Sequence, residues 1–266
     1  MTKKHTSDDI RKNVRERYAQ VALQDDGCGC GSDTSCCNTS DAITADKISA
    51  KLGYSAEELT AITEGANLGL GCGNPQAIAR LKEGETVLDL GSGGGFDCFL
   101  AARQVGNEGK VIGVDMTFEM VQRARANAEK MNALNTEFRL GEIEHLPVAD
   151  NSIDCIISNC VINLSPDKQQ VFNEAYRVLK RGGRIAFSDV VQIAPFPEEW
   201  KNDASLYNKC ATGAVTIKEL ETFLLAARFH YITIAPKEKS REFIRTWDDT
   251  KNMQHYIIAA TIEAVK

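Results

Sequence analysis

The sequence lacks the features that mark a membrane, secreted or nucleic-acid-binding protein. No stretch approaches the roughly 18 consecutive apolar residues of a membrane helix, and the N-terminus leads into no apolar run of a signal peptide. Lys and Arg number 31 against 37 Asp and Glu, so the net charge is −6, and no basic block is present. These absences argue against a nucleic-acid surface, and we expect the protein to stay in the reducing cytoplasm.

Cysteine, in contrast, is abundant. The chain has 266 residues, 43% apolar and 26% charged, which is typical of a globular protein with one large or two small domains. Nine residues are cysteines, an odd number in a compartment where disulfides are rare. Because free cysteine also packs well in a core, the position of each cysteine must indicate which ones have a function.

The pattern of the sequence divides the chain into three predicted segments. Residues 1–84 contain a helix over 7–23, with Ser7 as its cap, and then a Gly-, Ser- and Asp-rich loop that we expect to be mobile. Residues 85–190 alternate strands and helices, and residues 191–266 add an insertion and two closing strands. The strands are almost continuously apolar, which predicts an α/β fold with a mostly parallel sheet covered by helices on both faces.

Two apolar runs, 86–90 and 110–114, have the length of strands, five further segments fit strands, and the segments between several of them have helical periodicity. A further short helix is predicted after Ser55, with Glu58 at the capping-box position. The predicted strands are 86–90, 110–114, 136–140, 153–158, 184–190, 230–234 and 255–262, and the other predicted helices are 44–52, 117–133, 166–180 and 216–227.

A glycine-rich turn follows the first predicted strand. Residues 87–90 lead into Gly91-Ser92-Gly93-Gly94-Gly95, and Asp115 ends the next strand. This arrangement is typical of a crevice for a nucleoside or dinucleotide, where glycines admit the ligand and a carboxylate accepts the ribose hydroxyls. Asp89, just before the glycines, would repel a pyrophosphate but suits a cationic amino-acid ligand, which favours S-adenosylmethionine over NAD.

Four ordered motifs resemble those of the class I methyltransferases. The glycine turn resembles motif I, and residues 141–147 (GEIEHLP) resemble the adenine-binding turn, with Glu142 in place of the usual Asp. Residues 154–159 resemble motif IV, and residues 179–184 (LKRGGR) resemble the LKPGG turn. The resemblance implies a Rossmann-like fold with a seven-stranded sheet. The cofactor contacts that it implies are Asp89, Gly91, Ser92, Gly93, Asp115, Met116, Glu142, Ile143 and Asn159.

Three cysteines lie in separate segments that could meet over a methyl donor. Cys160 follows the carboxyl end of the fourth strand, where substrates bind in this architecture. Cys72 lies in the Gly-rich loop GLGCGNP, and Cys210 lies in the late insertion. Cys98 and Cys155, on a helix and in a strand, are expected to fill the core.

Around such a core, the segments GLGCGNP, SNCVINL and YNKCATGA resemble the arsenite S-adenosylmethionine methyltransferases over nearly the whole chain. The resemblance implies that Cys72, Cys160 and Cys210 bind trivalent arsenic and that a further redox cysteine is Cys36 or Cys37, between which the local sequence does not choose. The implied substrates are arsenite and methylated arsenite.

The implied chemistry depends on thiols. Trivalent arsenic is soft, and three thiolates fill a trigonal pyramid that leaves its lone pair free to attack the sulfonium methyl group. No general base is required, which fits a chain with only four histidines. Methylation oxidises arsenic, so a thiol reductant of the glutathione or thioredoxin type, or the protein's own cysteines, must return two electrons. No nucleic acid or membrane partner is expected.

The three thiols are not expected to be equivalent. Arsenite has three exchangeable positions and monomethylarsenite only two, so one cysteine should be dispensable for the later methylation. The Gly-rich loop of Cys72 is expected to be the most mobile of the three segments, and this favours Cys72 as the dispensable ligand.

Two other functions remain open from the sequence. A C- or O-methyltransferase that acts on a quinone or similar small molecule would have the same core, although it has no need of three converging thiols. A zinc or soft-metal protein could use Cys28 and Cys30 together with Cys36 and Cys37, but the C-x-C and CC spacings lack the paired C-x₂-C of structural zinc sites.

Overall fold

A computed structural model describes residues 6–23, 44–63, 65–200, 203–248 and 250–266. Within these ranges, no helix is both long enough and apolar enough to cross a membrane. Four cysteines of the predicted N-terminal loop lie outside the described residues, and they are Cys28, Cys30, Cys36 and Cys37.

Seven strands form one sheet: β1 (Thr86–Leu90), β2 (Lys110–Asp115), β3 (Thr136–Leu140), β4 (Ile153–Asn159), β5 (Leu179–Gln192), β6 (His230–Pro236) and β7 (Ile257–Val265). Their order is β3-β2-β1-β4-β5-β7-β6. Pairs from β3 to β5 are parallel, whereas β7 is antiparallel to both β5 and β6. The predicted α/β fold with a mostly parallel seven-stranded sheet is confirmed. The boundaries at 84/85 and 190/191 remain a prediction.

The described α-helices are α1 (Ser7–Leu23), α2 (Ala45–Leu52), α3 (Ala56–Thr60), α4 (Gln76–Ala79), α5 (Phe96–Val105), α6 (Phe118–Met131), α7 (Lys168–Val178), α8 (Ala204–Asn208), α9 (Ile217–Ala226) and α10 (Ser240–Ile244). Helices cover both faces of the sheet, as predicted. Leu88 of β1 packs in one apolar cluster with Phe172 of α7 and Leu220 of α9, while Val87 packs on the opposite face with Phe99 of α5 and Val121 of α6. Alternate side chains are therefore buried on both faces, which explains why the strands are continuously apolar.

The caps of two helices are set by short polar side chains. Ser55 and Glu58 form the predicted capping box, with bonds of 2.7 and 3.1 Å. The predicted cap at Ser7 is wrong, because Ser7 is the first helical residue of α1. Thr6 takes the capping position: its Oγ1 accepts from the Asp9 amide at 3.2 Å, and its own amide donates to the Asp9 carboxylate at 2.9 Å. The cap must lie outside the helical backbone, and the pattern of apolar residues does not locate it within one residue.

Strand β5 begins earlier than predicted. The predicted helix over 166–180 ends at Val178, because Leu179 already pairs with Ile153 at the start of β4. The LKRGGR segment is thus part of β5 instead of a separate turn. A register shift in the pairing with β4 and a left-handed Gly182 (φ +78°) accommodate the irregularity there.

Helix α1 is tied to the loop after β3 by a mostly buried ion pair. Arg11 Nη2 lies 3.2 Å from Glu144 Oε1, and the Glu144 side chain is only 4% exposed. The same oxygen accepts from Ser165 Oγ at 2.7 Å. Breaking a buried pair leaves a charge without its counterion, which costs far more than losing an exposed pair.

We therefore expect Arg11→Ala to lower the free energy of unfolding by about 3 kcal/mol. The control is Lys12→Ala on the same helix, because Lys12 and Glu16 form an exposed pair at 3.9 Å. Its loss should cost less than about 0.5 kcal/mol. Urea unfolding of both variants checks the prediction. Equal effects would mean that the Arg11 pair contributes no more than a surface pair.

Candidate active site

The glycine turn after β1 is closely packed except at Gly93. Gly91 (φ +69°) and Gly93 (φ +50°) both have left-handed backbones. A Cβ atom at Gly91 would lie 2.5 Å from the Val161 side chain, so only glycine fits there. A Cβ atom at Gly93 would meet nothing closer than the Met120 sulfur at 4.0 Å. The turn can therefore admit a ligand closely at Gly93, which fits the predicted cofactor.

Asp115 closes this turn from the end of β2. Its Oδ2 accepts from the Gly93 amide at 3.0 Å, and its Oδ1 accepts from the Thr117 amide at 2.8 Å. Burial raises the pKa of the Asp115 carboxyl, and these backbone bonds oppose the rise. Each oxygen keeps a lone pair, so the carboxylate is held in place with two acceptors available to vicinal hydroxyls.

A cavity of about 560 Å³ opens beside the ends of β2 and β3, and α1 forms one of its walls. This volume is in the range of small-molecule and cofactor sites. Glu142 lines the cavity, and its Oε1 lies 3.1 Å from Arg15 Nη2 of α1. Among the lining residues are Arg15, Ala19, Met116, Phe118, Leu140 and Glu142. Two predicted cofactor contacts, Met116 and Glu142, thus lie together at one cavity.

The remaining predicted cofactor contacts lie deeper. Ile143 is buried in the core cluster that contains β1 and α7. Ser92 Oγ is buried, has no hydrogen-bond partner among the described residues, and lies close to Gly113 of β2. Asp89 is 3% exposed and accepts from the Cys98 thiol at 3.2 Å. The role of these residues toward a cofactor stays a prediction.

Asp97 at the start of α5 forms a buried polar network that the sequence analysis missed. Its carboxylate accepts from the Tyr54 hydroxyl at 2.8 Å, and burial raises the pKa of Asp97 to about 6. Asn159 donates to the Tyr54 hydroxyl at 3.1 Å and to the Gly73 carbonyl at 2.8 Å, and its Oδ1 accepts from the Cys72 amide at 3.0 Å. Asn159, predicted as a cofactor contact, therefore joins the Cys72 loop to the helix after the glycine turn.

The structure brings the three predicted cysteines together beyond the carboxyl end of β4. The sulfurs of Cys72 and Cys160 and one carboxylate oxygen of Asp189 all lie within 4.8 Å of one another. The Cys210 thiol donates to the Cys160 carbonyl at 2.8 Å. All three cysteines are at most 9% exposed, and they share one apolar cluster with Val14 of α1. Three separate segments thus form one buried thiol site.

Two of these cysteines have an unusual backbone. Cys160 (φ +60°) and Cys210 (φ +61°) lie in the left-handed region, which disfavours any residue with a Cβ atom by about 1 kcal/mol or more. Cys160 begins its turn directly after β4, where its amide donates to the Ser188 carbonyl at 2.8 Å. Strain of this kind is found at functional sites, where it directs a side chain. Cys98 and Cys155 are buried in the core, as predicted.

The buried thiols favour the protonated form. Burial raises the pKa of Cys72, while a hydrogen bond with the Cys160 thiol opposes this rise. The hydrogen bond with Cys160 and then burial raise the pKa of Cys210. The charge of Asp189 raises the pKa of all three thiols.

Asp189 is the second residue that the sequence analysis missed at this site. Its Oδ1 accepts from Asn163 Nδ2 and from the Val190 amide, both at 2.8 Å. It is 4% exposed, and burial raises its pKa to about 6. A signal existed in the sequence, because Asp189 is a charged residue inside the apolar run of β5.

The strand order, the glycine turn and the acidic end of β2 define a class I methyltransferase. A family model described as "Methyltransferase domain" matches residues 81–247. An arsenite methyltransferase of Halobacterium salinarum is 52% identical over 97% of this chain and 67% of its own length. The chain therefore belongs to the arsenite methyltransferase family, whose members depend on S-adenosylmethionine.

Other relatives agree with this assignment. The arsenite methyltransferase of Homo sapiens is 42% identical over 64% of this chain and 50% of its own length. A crystal structure of an arsenic (III) S-adenosylmethionine methyltransferase from Chlamydomonas reinhardtii has a TM-score of 0.62 and 33% identity, covering 82% of this chain and 73% of that one. The chain spans about two thirds of the halobacterial relative and half of the human one.

Proposed function

We propose that this protein transfers the methyl group of S-adenosylmethionine to trivalent arsenic held by Cys72, Cys160 and Cys210. The observation that carries this proposal is the convergence of three buried thiols from separate segments of the chain. A quinone-type methyltransferase has no need of such a cluster. The named activities of the halobacterial relative and of the Chlamydomonas protein support the same substrate.

The residues of the cofactor cavity would hold and orient the donor. Asp115 offers two carboxylate oxygens to ribose hydroxyls, and Gly93 leaves room for the ligand beside the turn. Glu142, which pairs with Arg15, belongs to the segment that resembles the adenine-binding turn. The adenine base would therefore bind beside this ion pair. S-adenosylmethionine, when bound, supplies an electrophilic methyl group on a cationic sulfur.

The thiol site would then present arsenic as the nucleophile. Three thiolates occupy three positions on arsenic, and its lone pair is the fourth, so no side chain has to remove a proton in the transfer step. The rate depends on holding the lone pair in line with the methyl group. The left-handed backbones of Cys160 and Cys210 fix the direction of two of the three ligands.

The reductant belongs to the same proposal. Methylation takes arsenic from the trivalent to the pentavalent state, and two electrons must return before a second methylation. An external thiol of the glutathione or thioredoxin type would supply them, with Cys36 or Cys37 as the cysteine of the protein that forms the transient disulfide. A reducing cytoplasm is the compartment in which these thiols stay available.

The test is methyl transfer to arsenite in the presence of added thiol, with the products separated by arsenic speciation. We expect methylated arsenicals from the unchanged protein and from the control Cys155→Ala, whose thiol is buried in the core away from the site. Methylation of a quinone acceptor without any methylation of arsenite would overturn the proposal and favour the small-molecule alternative.

A further inference from the structure

One group in the thiol site has no use in arsenic binding. Three thiolates complete the coordination of trivalent arsenic, which prefers soft sulfur to hard carboxylate oxygen. Yet the Asp189 carboxylate lies with the sulfurs of Cys72 and Cys160 in a set of ligand atoms at most 4.8 Å apart. A buried carboxylate beside three thiols opposes their ionisation, so it does not help arsenite exchange by its charge. Its presence therefore needs a separate explanation.

The two oxygens of this carboxylate are bound unequally. Oδ1 accepts two bonds of 2.8 Å, from Asn163 Nδ2 and the Val190 amide. Oδ2 accepts a long bond of 3.4 Å from the Asn163 amide, and the Ile162 amide also interacts with the carboxylate. One oxygen thus fixes the orientation of the side chain, and the other keeps lone pairs for a ligand. Fixing a ligand through its second oxygen is the usual way in which proteins orient metal-binding carboxylates.

We propose that Cys72, Cys160 and Asp189 form a site for a divalent cation of the zinc type, with Cys210 as the fourth ligand. This inference rests on the proposed function in one respect, namely that arsenite binds the same three thiols. Zn²⁺ accepts thiolate and carboxylate together in a tetrahedron, whereas arsenic (III) uses the sulfurs alone. The two ligands therefore exclude each other from one pocket.

Cys72, Cys160 and Asp189 require only a small contraction, whereas the Cys210 sulfur lies outside this set and has to leave the Cys160 carbonyl to reach the cation. Bonds of about 2.3 Å to sulfur and about 2.0 Å to oxygen place tetrahedral ligands about 3.5 to 3.8 Å apart. The present upper limit of 4.8 Å thus has to shrink by about 1 Å. On binding, each coordinating thiol releases its proton to solvent, the carboxylate binds as it stands, and the cation stays divalent.

Nearby lysines offset the negative charge of the ligands. A cation with three thiolates and one carboxylate leaves a net charge of −2 in a buried pocket. The ammonium group of Lys168, itself buried and bonded to the Ser165 carbonyl at 3.0 Å, is close enough to influence Asp189 and Cys210. Lys237 acts in the same way on Cys72. The pocket can therefore hold an anionic metal–thiolate cluster.

Cobalt (II) is the probe, because its thiolate charge-transfer absorption reports sulfur ligation directly. The titration uses the full chain under nitrogen with a phosphine reductant, and zinc then displaces the cobalt. Four cysteines of the N-terminal loop are first changed to serine, so that they cannot bind cobalt: Cys28, Cys30, Cys36 and Cys37.

In this background we expect one cobalt per chain, and Asp189→Asn should weaken both cobalt and zinc binding by at least about tenfold. The matched control is Asp154→Asn at the opposite end of β4, where the carboxylate pairs with Lys180. It should leave the affinity unchanged. Absence of the charge-transfer band, or an Asp189→Asn variant that binds as tightly as its background, would overturn the proposal.

Competition keeps the proposal testable if Asp189→Asn does not fold. One equivalent of arsenite should remove the cobalt absorption from the background protein, and simultaneous binding of both would overturn the shared pocket. Cobalt binding needs no methyl donor. Methylation is assayed on the unchanged protein, which keeps Cys36 and Cys37. Methylation of arsenite without cobalt binding would therefore reject this inference alone, and cobalt binding without methylation by the unchanged protein would reject the proposed function alone.

Discussion

Changing Cys160 to serine should reduce methylation of arsenite and of monomethylarsenite to background. Cys160 occupies the centre of the thiol site: its sulfur lies within 4.8 Å of that of Cys72, and its carbonyl accepts the Cys210 thiol at 2.8 Å. Cys160 is thus the neighbour of both other cysteines, and we expect every pair of thiols that binds monomethylarsenite to include it. Arsenic speciation after incubation with each substrate measures both steps.

Changing Cys72 to serine should separate the two steps. Arsenite loses its third thiolate and is methylated far more slowly, whereas monomethylarsenite, with two exchangeable positions, still binds to Cys160 and Cys210. Cys155→Ser is the control, because it removes a buried thiol outside the site. Methylation of arsenite by Cys160→Ser at the rate of the unchanged protein would contradict the assignment of the three cysteines as the arsenic site.

The reason for choosing Cys72 changes with the structure. The sequence favoured it because its glycine-rich loop was expected to be the most mobile. In the structure, the Asn159 side chain accepts a hydrogen bond from the Cys72 amide and donates one to the Gly73 carbonyl, and these bonds fix the loop. A Cβ atom at Gly73 would also lie 2.7 Å from Ser188 Oγ, so the loop is closely packed. We still expect Cys72 to be the dispensable ligand, because Cys160 and Cys210 are the two cysteines with constrained backbones.

The strands that surround the cofactor turn could be predicted almost to the residue. The strands predicted over 86–90 and 136–140 match β1 and β3, and each ends directly before a glycine, Gly91 or Gly141. Prediction was poorer for β5 and β7. The start of β5 is set by the pairing of Leu179 with β4, and the far end of β5 and the bounds of β7 are set by pairing with each other, which local composition does not contain.

The thiols of the site could be predicted, but the groups that surround them could not. A cysteine in a glycine-rich loop or at a strand end is unusual by itself. Asp189 is conspicuous as a charged residue in an apolar strand, but its place beside Cys72 and Cys160 is visible only in the folded chain. Arg15 likewise reads as a solvated residue of an amphipathic helix, although it pairs with Glu142, 127 positions away in the chain. Contacts of this range depend on the whole fold.

Removing the Asp115 side chain should abolish measurable cofactor binding. Its two oxygens accept the Gly93 and Thr117 amides, and each keeps a lone pair that could accept a ribose hydroxyl. Two charge-assisted hydrogen bonds to hydroxyls, at about 1.5 kcal/mol each, correspond to a loss of affinity of about 100-fold. Asp115→Ala also leaves the Gly93 amide without its acceptor, so the turn itself loses its support.

Calorimetric titration of S-adenosylmethionine into Asp115→Ala measures this loss, and circular dichroism checks the fold. Glu137→Ala is the control: Glu137 is an acidic residue on neighbouring β3 that pairs with Lys110 at 2.6 Å on the surface, and its removal should leave the affinity unchanged. Arsenite binding to the thiols should survive in Asp115→Ala, because the thiol site shares no hydrogen bond with this carboxylate in the described chain. Unchanged affinity for the cofactor would show that the crevice beside β2 is not its binding site.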